Sequence, residues 1–182
     1  MIASSRYCEI GRDAVGFVFS FSPTPELTMG STRLARDLCR RVGLMIRRSK
    51  FAKVRIAPTR VEATFEPIDE EEIGVLVNRI DVSISQFRRE RLHPRIVEDI
   101  LGITSRERLR WIKDGRLPTS GSGSFRRGRQ DIHFPLHPPD RIAAIARNPE
   151  VIAVWRAADA AADGAAIPAV HSLPQPANNL LT

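Results

Sequence analysis

The chain has 182 residues, enough for one ordinary domain or two very small ones, and with only 6% aromatic residues any core must be mostly aliphatic. Its formal charge of +7 favours a polyanionic partner. Two cysteines, Cys8 and Cys39, are too few for a disulfide framework, so a reducing, cytoplasmic compartment is expected; the longest strongly apolar run, Ala14 to Phe21, is too short to span a bilayer, and no membrane partner is expected.

Residues 1–30 read as a poorly ordered or strand-like N-terminal segment. Val15, Phe17, Phe19 and Phe21 alternate with smaller residues, and Pro23 and Pro25 stop the run. A cleaner helical pattern follows Met29, and the folded region is expected to begin there.

Residues 31–66 read as a basic helix and linker. From Thr32 to Arg48, Leu34, Leu38, Val42 and Met45 share a helical face, while Arg33, Arg36, Arg40, Arg41, Arg47 and Arg48 line the rest. Such a helix can lie along a phosphate backbone, or it can pack by its leucines with its arginines in solvent. Leu38, Cys39, Val42, Gly43 and Leu44 mimic the front half of a helix-turn-helix, but Ser49 and Ala52 fall where its back half needs large apolar residues. Phe51 to Phe65, with Val54, Ile56 and Val61 around Pro58, suits a short hairpin or an extended linker.

Residues 67–147 are expected to form a tandem helix-turn-helix and winged-helix domain. Asp69 as cap and Glu72 three residues later open a helix. From Ile73 to Arg91, Leu76, Ile80, Val82 and Phe87 repeat the spacing of Val97, Leu101, Ile103 and Arg108, with Asp81 at the turn position. This predicts a first helix pair, which either forms a second helix-turn-helix or buttresses the one that follows.

From Pro94 to Pro118 the sequence predicts two short helices around a tight turn. Pro94 suits a first helical position. Val97, Ile100 and Leu101 mark an apolar face before Gly102, whose tolerance of positive φ lets the chain reverse. Thr104 and Glu107 have capping-box spacing. The second helix, Ser105 to Lys113, is expected to bury Ser105, Arg108, Leu109 and Ile112 and to present Arg106, Glu107, Arg110 and Lys113.

Leu101, Gly102, Ile103 and Thr104, then Trp111, then Asp114, Gly115, Arg116, Leu117 and Pro118 keep the order and spacing of the excisionase and MerR-type winged helix-turn-helix DNA-binding proteins. The resemblance runs from Pro94 to about Ala146. It implies double-stranded DNA as partner, bound by Thr104, Ser105, Arg106, Glu107, Arg110 and Lys113, with Arg106 and Arg110 expected on bases and Lys113 on phosphates. Two positions depart from the pattern: Glu98 stands where these families place a small residue, and Arg108 where they place an apolar one. The two face each other across the helix crossing in those families, so a salt bridge between them is expected.

After Pro118, the run from Thr119 to Ser124 reads as a flexible turn. Phe125 to Arg129 follows, then Ile132 and Phe134 in strand-like alternation, where the resembled families carry a β-hairpin wing, and the resemblance assigns Arg126, Arg127 and Arg129 to phosphates. Residues 67–146 also resemble, more weakly, the C-terminal part of TniQ-like transposition proteins, without the zinc-binding cysteines many of them carry. That likeness implies an adaptor whose helix-turn-helix units bind protein or RNA.

His133 and His137 are four apart, but Pro135, Pro138 and Pro139 argue against a helix there and no third ligand is evident, so no metal is expected. There is no glycine-rich phosphate loop and no nucleophile elbow, so no catalytic residue and no cofactor are expected. Residues 148–182 read as a short helix, then a disordered Ala- and Pro-rich tail from Ala157. The fold class expected is mainly α: a helical bundle holding a winged helix-turn-helix, with a short hairpin wing and disordered termini. The expected function is sequence-specific DNA binding, as a bacterial-type transcriptional regulator or a recombination or transposition accessory factor. A recombinase, a transposase or a second copy of the chain is a further possible partner.

Overall fold

The computed structural model describes residues 5–14, 16–49, 52–66 and 70–165, and the chain forms two compact units, 1–147 and 148–182. In the first unit, β1 (Glu9–Arg12) and β2 (Phe17–Phe21) make an antiparallel hairpin, followed by the short α1 (Pro25–Thr28) and the long α2 (Thr32–Arg47). A second hairpin, β3 (Ala52–Ala57) and β4 (Arg60–Phe65), leads into α3 (Glu70–Phe87). Strand β4 lies against β2, so the sheet runs β1-β2-β4-β3 and is antiparallel throughout.

The period-two pattern of the phenylalanines sets this sheet. Phe17, Phe19 and Phe21 pair with Phe65, Ala63 and Val61, and all six are buried on one face. Leu38, Cys39, Val42 and Ile46 of α2 and Ile73, Val77, Ile80 and Ile84 of α3 complete the same core. Fully burying one large apolar side chain contributes about 1.5–3 kcal/mol, so this layer is the main hydrophobic store of the unit.

The expectation of a mainly α bundle is therefore corrected. Of the described residues 51% are helical and 23% are in strands, a mixed α/β fold with a four-stranded and a two-stranded antiparallel sheet. Strands β2 and β4 pair over some 45 positions, which local periodicity does not reveal. A second correction concerns Ile73 to Arg91. Helix α3 is continuous through Asp81, so there is no turn there and no first helix-turn-helix. The Asp81 carboxylate instead accepts hydrogen bonds from Ser5 Oγ at 2.7 Å and Arg6 N at 2.9 Å. Val82, matched to an inward position, is exposed. The cap expected at Asp69 lies outside the described residues.

The remaining elements of the first unit are α4 (Pro94–Leu101), α5 (Ser105–Lys113), the hairpin β5 (Ser122–Arg127) and β6 (Gln130–Pro135), and α6 (Pro139–Ala146). Asp99 of α4 joins them to the sheet layer. Its carboxylate accepts from Ser31 Oγ at 2.5 Å and from Arg33 N at 3.2 Å, at the N-terminus of α2. Arg41 of α2 adds an ion pair to Glu90 at 2.7 Å while lying over the Phe87 ring.

In the second unit α7 (Glu150–Ala165) carries helix past Ala157, where the sequence suggested coil. Alanine is the strongest helix former, which accounts for the difference. Residues 166–182, the rest of the expected tail, lie outside the described residues. No helix among the described residues is long and apolar enough to cross a membrane.

Candidate nucleic-acid interface

Helix α4 starts with Pro94 at its first turn, and His93 caps it by accepting the Arg95 amide on Nδ1 at 3.2 Å. It ends at Gly102, whose φ of +59° is a left-handed conformation that side chains resist. The reversal is completed by the Ile103 amide, which donates to Glu98 O at 3.1 Å. Helix α5 then opens with a full capping box. Thr104 Oγ1 accepts the Glu107 amide at 3.1 Å, and the Glu107 carboxylate accepts the Thr104 amide at 2.7 Å.

The two helices meet through an ion pair. Arg108 Nε donates to Glu98 Oε1 at 2.8 Å, and Ser105 Oγ donates to the same oxygen at 2.8 Å. Burial pushes the Glu98 carboxyl up, but the hydrogen bonds from Arg108 and Ser105 and the charges of Arg108 and Arg95 outweigh it and hold the group below its ordinary range.

Trp111 is the other inward anchor of α5 and is fully buried. Arg116 lies over its ring and is bonded to Asp114. The exit turn uses Gly115 at φ +80°, and the Leu117 amide closes it on Trp111 O at 2.8 Å. So α5 buries Arg108 and Trp111, with Ile112 partly covered. Leu109, expected inside, is 56% exposed. The opposite face holds exposed Arg106, Leu109 and Lys113 and half-buried Arg110, at intervals of three and four residues. Thr104, Ser105 and Glu107, counted among the DNA-binding residues, are hydrogen-bonded within the chain: Thr104 and Glu107 in the cap, and Ser105, exposed where burial was expected, to Glu98.

The hairpin turns at Gly128–Arg129, with Gly128 at φ +63°, as a two-residue turn with glycine first requires. Ser122 to Ser124, read as flexible turn, are paired strand opposite His133 to Pro135. Gly123 is needed there, because a Cβ would fall 2.6 Å from the Phe134 ring. Phe134 in turn lies 4.6 Å from the His93 ring, fixing the hairpin to the start of α4. Arg126, Arg127 and Arg129 are exposed, and Arg126 pairs across the strands with Asp131 at 3.3 Å.

His137 follows the hairpin and is fully buried. Its Nδ1 is 2.8 Å from Pro118 O, so that nitrogen carries the proton, and its backbone pairs with Leu92. Burial, aided by the charge of Arg108, keeps its pKa below the ordinary value, although the bond to Pro118 pulls the other way. His133 is exposed on the hairpin. Among the described residues no group of three histidine, cysteine or acidic side chains is placed to hold a metal.

No model of a known protein family, no curated protein and no solved structure matches the chain.

Proposed function

We propose that the chain is a sequence-specific DNA-binding protein that uses α5 as its recognition helix. The carrying observation is the row on α5 of exposed Arg106, Leu109 and Lys113 with half-buried Arg110 among them, on a helix held from behind by Arg108 and Trp111. Arginine bonds two acceptors on guanine in the major groove, and an apolar side chain such as Leu109 meets the thymine methyl. Arg106 and Arg110, one helical turn apart on the same side, read sequence, while Lys113 at the end of α5 meets the backbone. Arg127 and Arg129 at the hairpin tip supply phosphate contacts, which set register without choosing sequence. Arg126 contributes less, because it already has Asp131. A role in transcription or in recombination fits this reading.

The experiment is selection from random duplex DNA at fixed salt, followed by Arg110→Ala on the selected site. The substitution is expected to cost about 1–3 kcal/mol on that site and little on unrelated sequences. Affinity is expected to fall steeply with salt. Equal loss on all sequences removes the base-reading role, and failure to select any site removes the proposal. The exposure of Leu109 favours one second reading, an adaptor that docks α5 on a protein; salt-insensitive protein binding without DNA affinity would select it.

A further inference from the structure

A large cleft, of about 720 Å³, lies away from α5, between the Arg6–Tyr7 segment, α1, the end of α3, and α6. That volume is within the range of small-molecule sites. Its walls carry four guanidinium groups, those of Arg6, Arg88, Arg89 and Arg147, together with the hydroxyls of Tyr7 and Ser85. The two hydroxyls are 3.3 Å apart, and Arg6 lies over the Tyr7 ring at 5.5 Å. Among the described residues none of the four guanidinium groups is held in an ion pair. Two carboxylates, Glu26 and Asp140, share the lining, which leaves a positive excess. Met29 also lines it, at φ +51°, a left-handed conformation uncommon for any residue but glycine.

We propose that this cleft binds a small polyphosphorylated molecule of the nucleoside di- or triphosphate class. Guanidinium groups bond phosphate oxygens in pairs, and four of them on three walls match more than one phosphate group. Glu26 and Asp140 supply acceptors for ribose hydroxyls or base N–H groups, which an inorganic anion does not offer. Leu27 and Ala143 give a short apolar wall for the base. A concave site suits a compact ligand better than the convex backbone of a duplex. The Ser85 and Arg88 hydrogen bonds hold the Tyr7 hydroxyl below its ordinary pKa despite some desolvation, as expected of a phenol amid cationic neighbours. The cleft is independent of the DNA-reading proposal, because no residue of α5 or the hairpin lines it.

The test is calorimetric titration of the full chain with ATP, GTP, ADP and inorganic pyrophosphate, with citrate as a carboxylate of similar charge. Saturable binding of a nucleotide, one per chain and tighter than pyrophosphate or citrate, is expected. The double substitution Arg89→Ala and Arg147→Ala, at exposed positions outside the core, is expected to weaken it about tenfold or more. Tyr7→Phe is expected to weaken it less. Arg106→Ala with Arg110→Ala should leave it unchanged, so its failure is distinguishable from failure of DNA reading. Absence of saturable binding at millimolar nucleotide overturns the proposal. So does binding indifferent to the arginine pair, or citrate as tight as nucleotide. Displacement of the nucleotide by duplex DNA, with the same arginine dependence, overturns it in favour of a second DNA surface.

Discussion

Arg108 and Glu98 form an ion pair at 2.8 Å where α4 crosses α5, and Arg108 keeps its Nη1 buried beside it without a partner. Removing one member strands a charge in a poorly solvated place, whereas removing both leaves an ordinary apolar crossing. Glu98→Ala is expected to destabilise by about 3 kcal/mol or more. The double change Glu98→Ala with Arg108→Leu is expected to recover most of that loss or to exceed the parent. Urea unfolding of the four proteins checks this, and strictly additive losses would show that the pair is not coupled.

Acid is expected to weaken the protein in two stages. His93 and His137 have lowered values, mainly through burial, so the unfolded state takes up their protons first. Stability is fully present above the ordinary value of 6.5 and declines as pH falls below it. Glu98 and Asp99 are also held down, Asp99 chiefly by the hydrogen bond from Ser31. Their contribution is present above their ordinary values of 4.5 and 3.8 and is lost as pH falls through the lowered ones. Unfolding midpoints between pH 8 and pH 3 report both stages, and His137→Gln is expected to flatten the first.

Two glycines outside turns are expected to resist alanine. At Gly43 in α2 a Cβ would lie 2.3 Å from Ile56 Cδ1 on β3. Alanine in a helix is ordinarily worth up to about 1 kcal/mol over glycine, but overpacking costs about 1–3 kcal/mol. Gly43→Ala is therefore expected to lower the melting temperature. Gly123→Ala pushes Phe134 off His93 and is expected to loosen the hairpin, visible as faster amide exchange in β5 and β6 while the main sheet stays protected.

Burial raises the pKa of Cys8 to about 12 and that of Cys39 to about 11. The thiolate is the reactive form, so both thiols are expected to be inert to a disulfide reagent at pH 8 until the chain unfolds. Fast modification of the native protein at either position would contradict this.

The phenylalanine alternation from Phe17 to Phe21 was legible as a strand, and the arginine-studded stretch after Ser31 as a helix. Their partnership was not, because pairing Phe17 with Phe65 is a tertiary choice that no local period encodes. The match of Ile73–Arg91 to the later motif misled for a related reason: apolar residues at helical spacing serve a sheet face as well as a helix crossing. Asp81 lacked the one property that mattered, an easy left-handed backbone. In the candidate site, Gly102, Thr104 and Glu107 could be placed from type and spacing alone. The rotation of α5 could not, because nine residues hold only Leu109, Trp111 and Ile112 as apolar markers, and these surround most of the helix. The cleft at Arg6 and Arg147 joins the two ends of the unit, and no motif announces it.

The bond from Ser31 to Asp99 couples the start of one long helix to the last turn of another, 68 positions away. A fragment beginning near Leu92, cut to isolate the reading head, would leave that carboxylate facing bulk water and take from Ser31, the cap of α2, its acceptor. The reading head is thus a branch grafted on the sheet, and dissection at that joint injures both stock and scion.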